Sequence, residues 1–441
     1  MPQRLMKILL VCGLLLAQAG LAHAAGFNLY EAGARATALG GAFTASADDG
    51  SALFYNPAGL SFQNGVKVSL NFMPVNPRFK FAGATTDFQE GSNAEAAHKS
   101  YLIPGAYYTN SANDRIAYGI GLYAPFGLGV EWMDPYRFAG RFVSYDVDIK
   151  TIYITPALSF KLGRNLALAI GADIGAQELS LERVTPHPTL GVNAIDTHIE
   201  GKSKLNVTPT VGLMYRPGNK LSFGFMYHHK KTMDYEDQET TLKNMLQPGQ
   251  AGYDWSHPLL STLNGGHPTD LVHPLISSEF NLPAIMSFGA AYQVSSRVRA
   301  EVNYVHFGWS TFSKLEMDFN VEELDQDIAF DYKDSGQVRA GLDIDAVQDK
   351  LKVMLGYVHD ETPQPLSAVS PLLPDSDRND YSIGLQLKQD SWEFTACWMT
   401  VLAKGRTTIE NGEPTNENSS YPVGTYKSVA NIFGAGIGYH F

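Results

Sequence analysis

Apolar residues alternate with small or polar residues in repeated runs of about ten positions, the length that a tilted β-strand needs to cross a lipid bilayer. In the first run, Val66, Val68, Leu70 and Phe72 share one face. Further runs lie at 116–122, 166–174, 205–215, 221–227, 351–357 and 381–387. Successive side chains of a strand point to opposite faces, so each run has one apolar face and one small or polar face. Apolar faces outward and polar faces inward predict a membrane barrel, whereas a water-soluble barrel has the reverse arrangement.

The connections between these runs alternate between short turns and long polar segments. The short turns lie at 162–165, 216–219, 294–297 and 389–391. The long segments lie at 74–98, 125–143, 184–198, 238–277, 361–378 and 403–424. Outer-membrane barrels have short periplasmic turns and long extracellular loops. The sequence therefore predicts an all-β fold, a transmembrane antiparallel β-barrel of about 14 strands over residues 65–441.

The chain ends in an alternating stretch whose last residue is aromatic. Phe433, Ile437, Tyr439 and Phe441 share one face of this stretch, ANIFGAGIGYHF. A closing strand with a terminal aromatic residue is typical of chains handled by the barrel-assembly machinery, which we expect as a partner during biogenesis. The alternative is a soluble edge strand, but such an apolar edge would aggregate in water.

The first 24 residues predict a signal peptide. Arg4 and Lys7 precede an apolar run, and Ala22-His23-Ala24 fits a small-x-small cleavage site. The alternative, an uncleaved signal anchor, fits less well because the run is short for a membrane span. Sec export and a barrel together predict the outer membrane of a Gram-negative bacterium as the location.

Composition narrows the function classes. The formal net charge of −12 argues against nucleic acid as a partner, because phosphate binding needs a basic surface. Cys397 is the single cysteine after the signal peptide, so neither a disulfide framework nor a thiolate metal site is predicted. We expect no metal and no cofactor.

Residues 25–64, which we call the hatch, have a different composition from the barrel. They are rich in Ala and Gly, and they lack an alternating run, so they cannot form a membrane strand. A barrel of about 14 strands has a lumen that needs a plug if it is not to leak. Within the hatch, Pro57 fixes its own φ and favours an extended Asn56, whose side chain can close a turn. We therefore predict that the hatch plugs the lumen and contains a stiff turn at Asn56-Pro57-Ala58.

Several stretches resemble one family. The hatch begins Ala25-Gly26-Phe27 and contains the tripeptide Asn56-Pro57-Ala58. Other matching stretches are YAPFGLG (123–129), TIYITPALSFKL (151–162), NLPAIMSFGAAY (281–292), YVHFGWSTF (304–312), ETPQP (361–365) and LPDSDR (373–378). In this order along the chain they resemble the outer-membrane long-chain fatty-acid transporter (FadL) family, including its aromatic-hydrocarbon channels.

The resemblance implies ligand-gated passive diffusion through a plugged barrel of fourteen strands. In the family, the ligand moves from an extracellular groove to an internal apolar pocket. It then leaves through a lateral gap, made by a kink in the third strand. The stretch Ala124-Pro125-Phe126-Gly127 matches that kink, and Pro125 has no N–H with which to donate to a strand ladder. The alternative is that Pro125 simply begins the long loop.

The resemblance also implies ligand-binding positions. Phe27 and Arg183 match ligand-contacting positions, and a buried cation is what a fatty-acid carboxylate requires. Two further polar positions of the family's head-group site are Ala124 and Ile328 here. This departure leaves room for neutral ligands such as aromatic hydrocarbons. The alternative for Arg183 is that it is a surface charge next to Glu182 and has no ligand to bind.

Motifs of hydrolases, metalloproteases and nucleotide-binding enzymes are absent from the sequence, so we predict no catalytic residues and no enzyme. The stretch His228-His229-Lys230-Lys231 is interpreted as a solvated strand end, since adjacent strand residues point to opposite faces. Asp375, Asp377 and Asp380 are interpreted as a solvated loop, with a hard-cation site as the alternative.

The predicted function is outer-membrane transport of hydrophobic compounds, with long-chain fatty acids as the first choice of ligand. The predicted partners are such small molecules together with outer-membrane lipid and lipopolysaccharide, and we expect a monomer. Two alternatives of another class remain. A general porin would need an open, charged constriction without a plug, and a barrel enzyme or adhesin would need a site that the sequence does not reveal.

Overall fold

A closed antiparallel barrel makes up most of the molecule. The computed structural model describes residues 26–84, 92–416 and 421–441, so the predicted signal peptide lies outside the described residues. Across these ranges, fourteen barrel strands follow one another in chain order, as predicted. The first and last strands pair with each other, with Val68 opposite Tyr439 and Phe72 opposite Ala435, and this pairing closes the sheet.

Several barrel strands consist of two shorter segments separated by an irregularity. The first seven barrel strands and one short addition comprise β1 (Val66–Gly83) with β2 (Asn93–Glu95) beside it, β3 (Tyr101–Asn110), β4 and β5 (Ile116–Tyr123, Gly127–Glu131), β6 (Asp146–Lys161), β7 (Leu166–Pro186), β8 and β9 (Asn193–Lys202, Asn206–Tyr215), and β10 and β11 (Leu221–His228, Lys231–Asn244). The third barrel strand is thus β4 followed by β5.

The second half of the barrel follows the same plan. It comprises β12, β13 and β14 (Leu271–Val272, Leu275–Leu282, Ile285–Ser295), β15 and β16 (Val298–Phe307, Lys314–Phe319), β17 and β18 (Gln326–Ala329, Ser335–Val347), β19 (Leu351–Asp360), β20 (Arg378–Gln389), β21 and β22 (Trp392–Ala403, Arg406–Thr407), and β25 (Gly424–His440). A small hairpin, β23 and β24 (Ile409–Glu410, Glu413–Pro414), lies outside the barrel sheet.

The strand faces are those that the alternation predicts. Phe72 and Trp398 are about half exposed, on the outside of the barrel, at 48% and 44% of their full surface. Asn71 and Met399, their neighbours in sequence, are buried on the inside. The outward apolar band is therefore confirmed, and it is the surface that a lipid bilayer covers.

The barrel is taller than the membrane-crossing runs suggest. Strand β1 continues to Gly83, β11 continues to Asn244, and β5 occupies 127–131, all within segments predicted as long loops. Beyond the apolar band, apolar and polar residues no longer alternate, but the backbone N–H and C=O groups are still paired by the hydrogen bonds of the antiparallel ladders. One long connection also contains α3 (Tyr253–Leu263). None of the helices in the described ranges has the length and apolarity needed to cross a membrane.

The hatch lies inside the barrel. It contains α1 (Ala34–Ala38), α2 (Ala52–Tyr55) and a 3₁₀ helix (Pro57–Phe62), and nearly all of its residues from Phe27 to Leu60 are buried. It forms hydrogen bonds with strands all around the barrel, at Asn71 in β1, Ser159 in β6, Leu213 in β9, Ser287 in β14, Glu301 in β15 and Ser382 in β20. Only a segment within the lumen can reach all these strands.

Charged groups hold the hatch at the barrel end that carries the short turns. Arg35 of α1 pairs with Asp343 of β18 at 2.7 Å, and Arg299 of β15 pairs with Asp48 of the hatch at 2.9 Å. Burial alone would raise the pKa of Asp48, but Arg299 and Arg35 outweigh burial and hold that pKa well below its usual value. The hatch is therefore tied to the wall by compensated ion pairs.

Candidate functional site

Asn56 forms the predicted turn and ties it to the barrel wall. Its Nδ2 donates to the carbonyl oxygens of Thr44 at 2.8 Å and of Leu213 at 3.0 Å, and its Oδ1 accepts from the backbone N–H of Ala58 at 3.1 Å. Pro57 then begins the 3₁₀ helix, where its missing N–H needs no partner. A Cβ at Gly212 would lie 2.4 Å from Asn56 Oδ1, so the wall approaches the turn too closely for a side chain there.

The third barrel strand is interrupted where Pro125 predicts an interruption. Strand β4 ends at Tyr123, and β5 begins at Gly127. Strand β4 pairs with β3 on one side and with β6 on the other. Strand β5 still pairs with β6, but the ladders of the described residues contain no pairing between β5 and β3.

We call this stretch of the wall, where β5 has no ladder with β3, the window. One end of the window is closed by Tyr123, which lies opposite Gly105 in the ladder of β3 and β4. The other end is closed by a hydrogen bond of 2.7 Å from the N–H of Ala97 to the oxygen of Glu131. Between these points, residues 124–130 form no ladder with β3 among the described residues, although the ring of Tyr101 at the beginning of β3 lies against Gly129. Irregular backbone at membrane depth is tolerated where it lines a cavity or is covered by protein.

The beginning of the hatch covers the free edge from inside. The N–H of Leu29 donates to the oxygen of Pro125 at 2.8 Å, and the N–H of Gly127 donates to the oxygen of Phe27 at 3.0 Å. Asn28 and Phe126 form an isolated antiparallel bridge between these two bonds. The hatch therefore supplies backbone partners to the kinked segment that no barrel strand supplies.

A cavity of about 800 Å³ occupies the window. Its lining is mostly apolar and comes from the hatch, β1, β3, β5, β6 and the C-terminal strands, with Phe27, Ile103, Phe126, Leu128, Ile149 and Val429 among its members. The lining also contains three lysines, Lys99, Lys150 and Lys202, and each of them pairs with a carboxylate. Asp148 and Glu178, the partners of Lys150 and Lys202, also belong to the lining, so the cavity is an apolar slot with ion pairs at its border.

Phe27 borders both this cavity and a second, much smaller one. Its ring contacts four aromatic rings, with centroid distances of 4.7 Å to Trp309, 5.5 Å to Phe280, 5.5 Å to Phe312 and 6.0 Å to Phe126. The second cavity is lined entirely by apolar side chains and has a volume of about 20 Å³, room for about one water molecule. Four residues line both cavities and form the partition between them: Phe27, Leu128, Ile149 and Leu373.

Arg183 lies away from both cavities. It belongs to β7, two residues beyond Leu181, which lines the smaller cavity. Its Nη1 donates to Oε1 of Gln326 at 3.1 Å, and its buried Nε has no partner among the described residues. The structure therefore does not bring Arg183 together with Phe27. Ala124 lines the larger cavity, and Ile328 packs against the apolar core.

The interpretation of the Asp375 region as a solvated loop is wrong. Asp375 and Asp380 are buried, and Asp377 is partly buried. Oδ2 of Asp375 accepts a hydrogen bond of 2.8 Å from the N–H of Gly26, so the loop folds inward and holds the beginning of the hatch. Burial raises the pKa of Asp375, although the hydroxyl of Thr362 and the Gly26 N–H oppose that rise. The sequence contains the acidic residues but no signal that they turn inward.

The interpretation of residues 228–231 as a solvated strand end is also wrong for two of the four residues. His228 and Lys231 are almost fully buried, whereas His229 is half-buried and Lys230 is exposed. Both buried residues contact Asp173 of β7 inside the barrel. Within the described ranges, no group of three or more His, Cys, Asp or Glu residues is placed to hold a metal ion.

Comparisons with known proteins agree with this architecture. A family model described as outer membrane protein transport protein (OMPP1/FadL/TodX) matches residues 15–441. Outer membrane protein P1 of Haemophilus influenzae is 24% identical over 425 residues, which cover 86% of this chain and 86% of that protein. The long-chain fatty acid transport protein of Escherichia coli O6:H1 is 22% identical over 396 residues, covering 82% and 83%.

Solved structures share the fold. A Pseudomonas aeruginosa FadL homologue superposes with a TM-score of 0.80 at 20% identity, covering 95% of this chain and 100% of that one. The toluene transporter TbuX of Ralstonia pickettii superposes with a TM-score of 0.67 at 16% identity, covering 93% and 98%.

Proposed function

The chain belongs to the outer membrane protein transport family (OMPP1/FadL/TodX), whose members carry hydrophobic compounds across the outer membrane, and we propose that its cargo leaves sideways through the window beside β5. The observation that carries the proposal is the cavity of about 800 Å³ that fills the window. An apolar cavity of this size is in the range that binds small hydrophobic ligands.

The hatch is the gate in this proposal. Asn56-Pro57-Ala58 fixes its middle to the wall, and the beginning of the hatch, from Gly26 to Leu29, lines the cavity. Because the hatch and the free edge of the third strand share backbone hydrogen bonds, movement of one must change the other. Among the four residues that line both cavities, Phe27 is the one that belongs to the hatch, so movement of the hatch would displace it, and we assign it to ligand passage.

Long-chain fatty acids are the cargo that we favour. The larger cavity combines an apolar surface with paired lysines at its border, and each ammonium group has three N–H donors, so it can bind the carboxylate of a fatty acid besides its present partner. Neutral aromatic hydrocarbons are the second candidate. They are favoured by the apolar residues Ala124 and Ile328 and by the distance of Arg183 from the cavity lining.

We assign no catalytic role to the chain, since the family and the fold are those of transport channels. Transport is passive in this proposal, with no nucleotide or ion supplying energy. The outward apolar band implies contact with outer-membrane lipid, and charged loops suit lipopolysaccharide. We further propose a cleaved signal peptide at 1–24 and insertion by the barrel-assembly machinery.

Uptake measurements test the proposal. Cells that lack their own hydrophobic-compound transporters are supplied with this chain, and the initial uptake of radiolabelled oleate is compared with that of radiolabelled toluene. We expect uptake of both to rise above empty-vector cells, with oleate gaining more. Equal uptake with and without the chain would reject the function, and a gain for toluene alone would select the second candidate.

Conductance separates this function from that of a general porin. In planar bilayers, a barrel filled by its hatch should pass almost no ions, whereas a porin passes a steady current. A large permanent conductance of the purified intact chain would contradict the assignment of residues 25–64 as a plug.

A further inference from the structure

The edge of β3 that borders the window has no partner strand. On one side, β3 pairs with β1 along its whole length, but on the other side only Gly105–Asn110 pair with β4. Among the described residues, Tyr101–Pro104 therefore have no ladder toward β5. Pro104 has no N–H, so this edge lacks a backbone donor at that position, as the edge on the side of β5 does at Pro125. Residues of both edges line the larger cavity.

The ring of Tyr101 lies against Gly129 of β5, across the window from its own backbone. A Cβ at Gly129 would overlap the ring at Cζ, Cε1 and the hydroxyl oxygen, so the ring occupies the space that a side chain at this position would need. The φ of Gly129 is outside the left-handed region, so close packing rather than backbone conformation makes glycine the suitable residue here. A side chain, instead of a ladder, thus connects β3 with β5.

The Tyr101 side chain has few other attachments. Within the described ranges, its hydroxyl has no hydrogen-bond partner and its ring stacks on no other aromatic ring. The ring of Phe27, in contrast, contacts four aromatic rings. Tyr101 is also only partly buried. Because rotation about side-chain bonds exchanges rotamers quickly at partly exposed positions, the ring can leave Gly129 without movement of a strand or of the hatch.

The two ends of the window are fixed by backbone hydrogen bonds and cannot widen in this way. Tyr123 lies opposite Gly105 in the ladder of β3 and β4, and the oxygen of Glu131 accepts the bond of 2.7 Å from the N–H of Ala97. Between these ends, the position of the Tyr101 ring determines the width that is open to a passing molecule. An unbranched acyl chain needs less width than a fused-ring system, so the ring discriminates between these two classes of cargo.

We propose that Tyr101 is a specificity-determining residue of the window. Its ring, packed on Gly129, narrows the window so that unbranched acyl chains and single aromatic rings pass, whereas fused-ring compounds pass only when the ring turns aside. Removing the ring then widens the passage, and a Cβ at Gly129 widens it by displacing the ring. This inference rests on the proposed function for its effect on transport, but the narrowing of the window can be measured without transport.

The width of the window is tested on the purified, full-length chain in detergent. Leu128, which lines the cavity next to Gly129, is changed to cysteine in a Cys397→Ser background, and the rate of labelling by a pyrene maleimide is compared with that by N-methylmaleimide. If the ring leaves Gly129 about a tenth of the time, Tyr101→Ala should speed pyrene labelling about tenfold and leave labelling by the small reagent unchanged. Equal acceleration of both reagents, or no acceleration for pyrene, would overturn the proposal.

Gly129→Ala, in the same background, tests the contact itself and is the second variant if Tyr101→Ala does not fold. Its Cβ should displace the ring, so pyrene labelling should again become faster. When both substitutions are combined, the Cβ has no ring to displace, and labelling should be no faster than in Tyr101→Ala alone. Gly163→Ala is the matched control, since a Cβ there meets nothing within 4 Å, and Tyr215→Ala controls for the loss of an exposed ring. Additive effects of the two substitutions would overturn the proposal.

Uptake by cells tests the selection of cargo, with oleate compared with a fatty acid that ends in a pyrene ring. Gel migration of unheated samples confirms the fold of each variant. We expect the ratio of pyrenyl to oleate uptake to rise at least about threefold in Tyr101→Ala and to keep its wild-type value in Tyr215→Ala. An unchanged ratio in Tyr101→Ala, with both compounds taken up, would overturn the selective role. No uptake of either compound by the wild type would instead reject the proposed function, and the labelling rates would still decide whether Tyr101 narrows the window.

Discussion

Gly26 and Asp375 are joined by a hydrogen bond of 2.8 Å from the backbone N–H of Gly26 to Oδ2 of Asp375. The bond connects the first described residue of the hatch to the long connection between β19 and β20. Both residues line the large cavity. A loop far away in sequence therefore holds the hatch at the window in the barrel wall.

Asp375→Ala should loosen the beginning of the hatch without unfolding the barrel. Losing the acceptor leaves the Gly26 N–H unpaired, which we expect to weaken the local structure by about 1–3 kcal/mol. Because burial raises the pKa of Asp375, the substitution also removes a buried carboxyl that is unfavourable to ionise, so global stability should change little. Hydrogen–deuterium exchange of the peptide that contains residues 26–30 should become faster.

The matched control is Asp377→Ala, which removes a neighbouring carboxylate that bonds Thr362 and Lys404 but not the hatch. It should leave exchange of the hatch peptide unchanged. Equal protection of that peptide in both variants and the wild type would show that Asp375 does not hold the hatch.

Asn56→Ala should reduce uptake and leave a folded barrel. The substitution removes the two bonds to Thr44 and Leu213 and the bond from Ala58, so the turn loses its attachment to the wall. We expect a local loss of about 1–3 kcal/mol, because the backbone partners become unpaired in a buried site. Radiolabelled oleate uptake measures the effect, and gel migration of unheated samples reports the fold.

Asn264→Ala, in an exposed position after α3, is the control for Asn56→Ala and should transport as the wild type does. Full oleate uptake by Asn56→Ala would remove the gating role of the turn.

Arg183→Ala should lower uptake of oleate more than uptake of toluene. Arg183 lies outside the lining of both cavities, but its buried Nε has no partner among the described residues, so the variant tests whether the carboxylate of the cargo meets this guanidinium elsewhere on its path. Loss of such a charge-assisted contact should reduce oleate uptake by about tenfold, while toluene has no group to bind it. The exposed Arg137→Ala is the control. Equal losses for the two compounds would count against a head-group contact.

The fold was predictable because the membrane imposes a simple rule on each strand. Outward residues such as Phe72 and Leu70 must be apolar, and the period of two then sets the inward face. The turn at Asn56 was predictable too, because Pro57 restricts its own backbone and that of its neighbour. These features depend on local sequence, so they can be inferred without knowing the tertiary contacts.

The inward face was harder to predict. Alternation places His228 inside the barrel but does not show whether water or the hatch surrounds it. The same holds for Asp375, since a loop that folds inward has the same composition as one that remains in water. Both residues contact the hatch, and those contacts join positions far apart in sequence, which no local pattern contains.

The central claim is that cargo passes through the cavity beside β5, and blocking this cavity in a folded protein tests it most directly. Leu128 lines the cavity, whereas Leu158 faces outward and is 45% exposed. Each is changed to cysteine in a Cys397→Ser background, and oleate uptake is measured before and after labelling with a bulky maleimide. We predict that labelling at position 128 reduces uptake at least about tenfold, because the label fills the passage, and that labelling at position 158 does not. Undiminished oleate uptake by fully labelled Leu128→Cys would contradict the account.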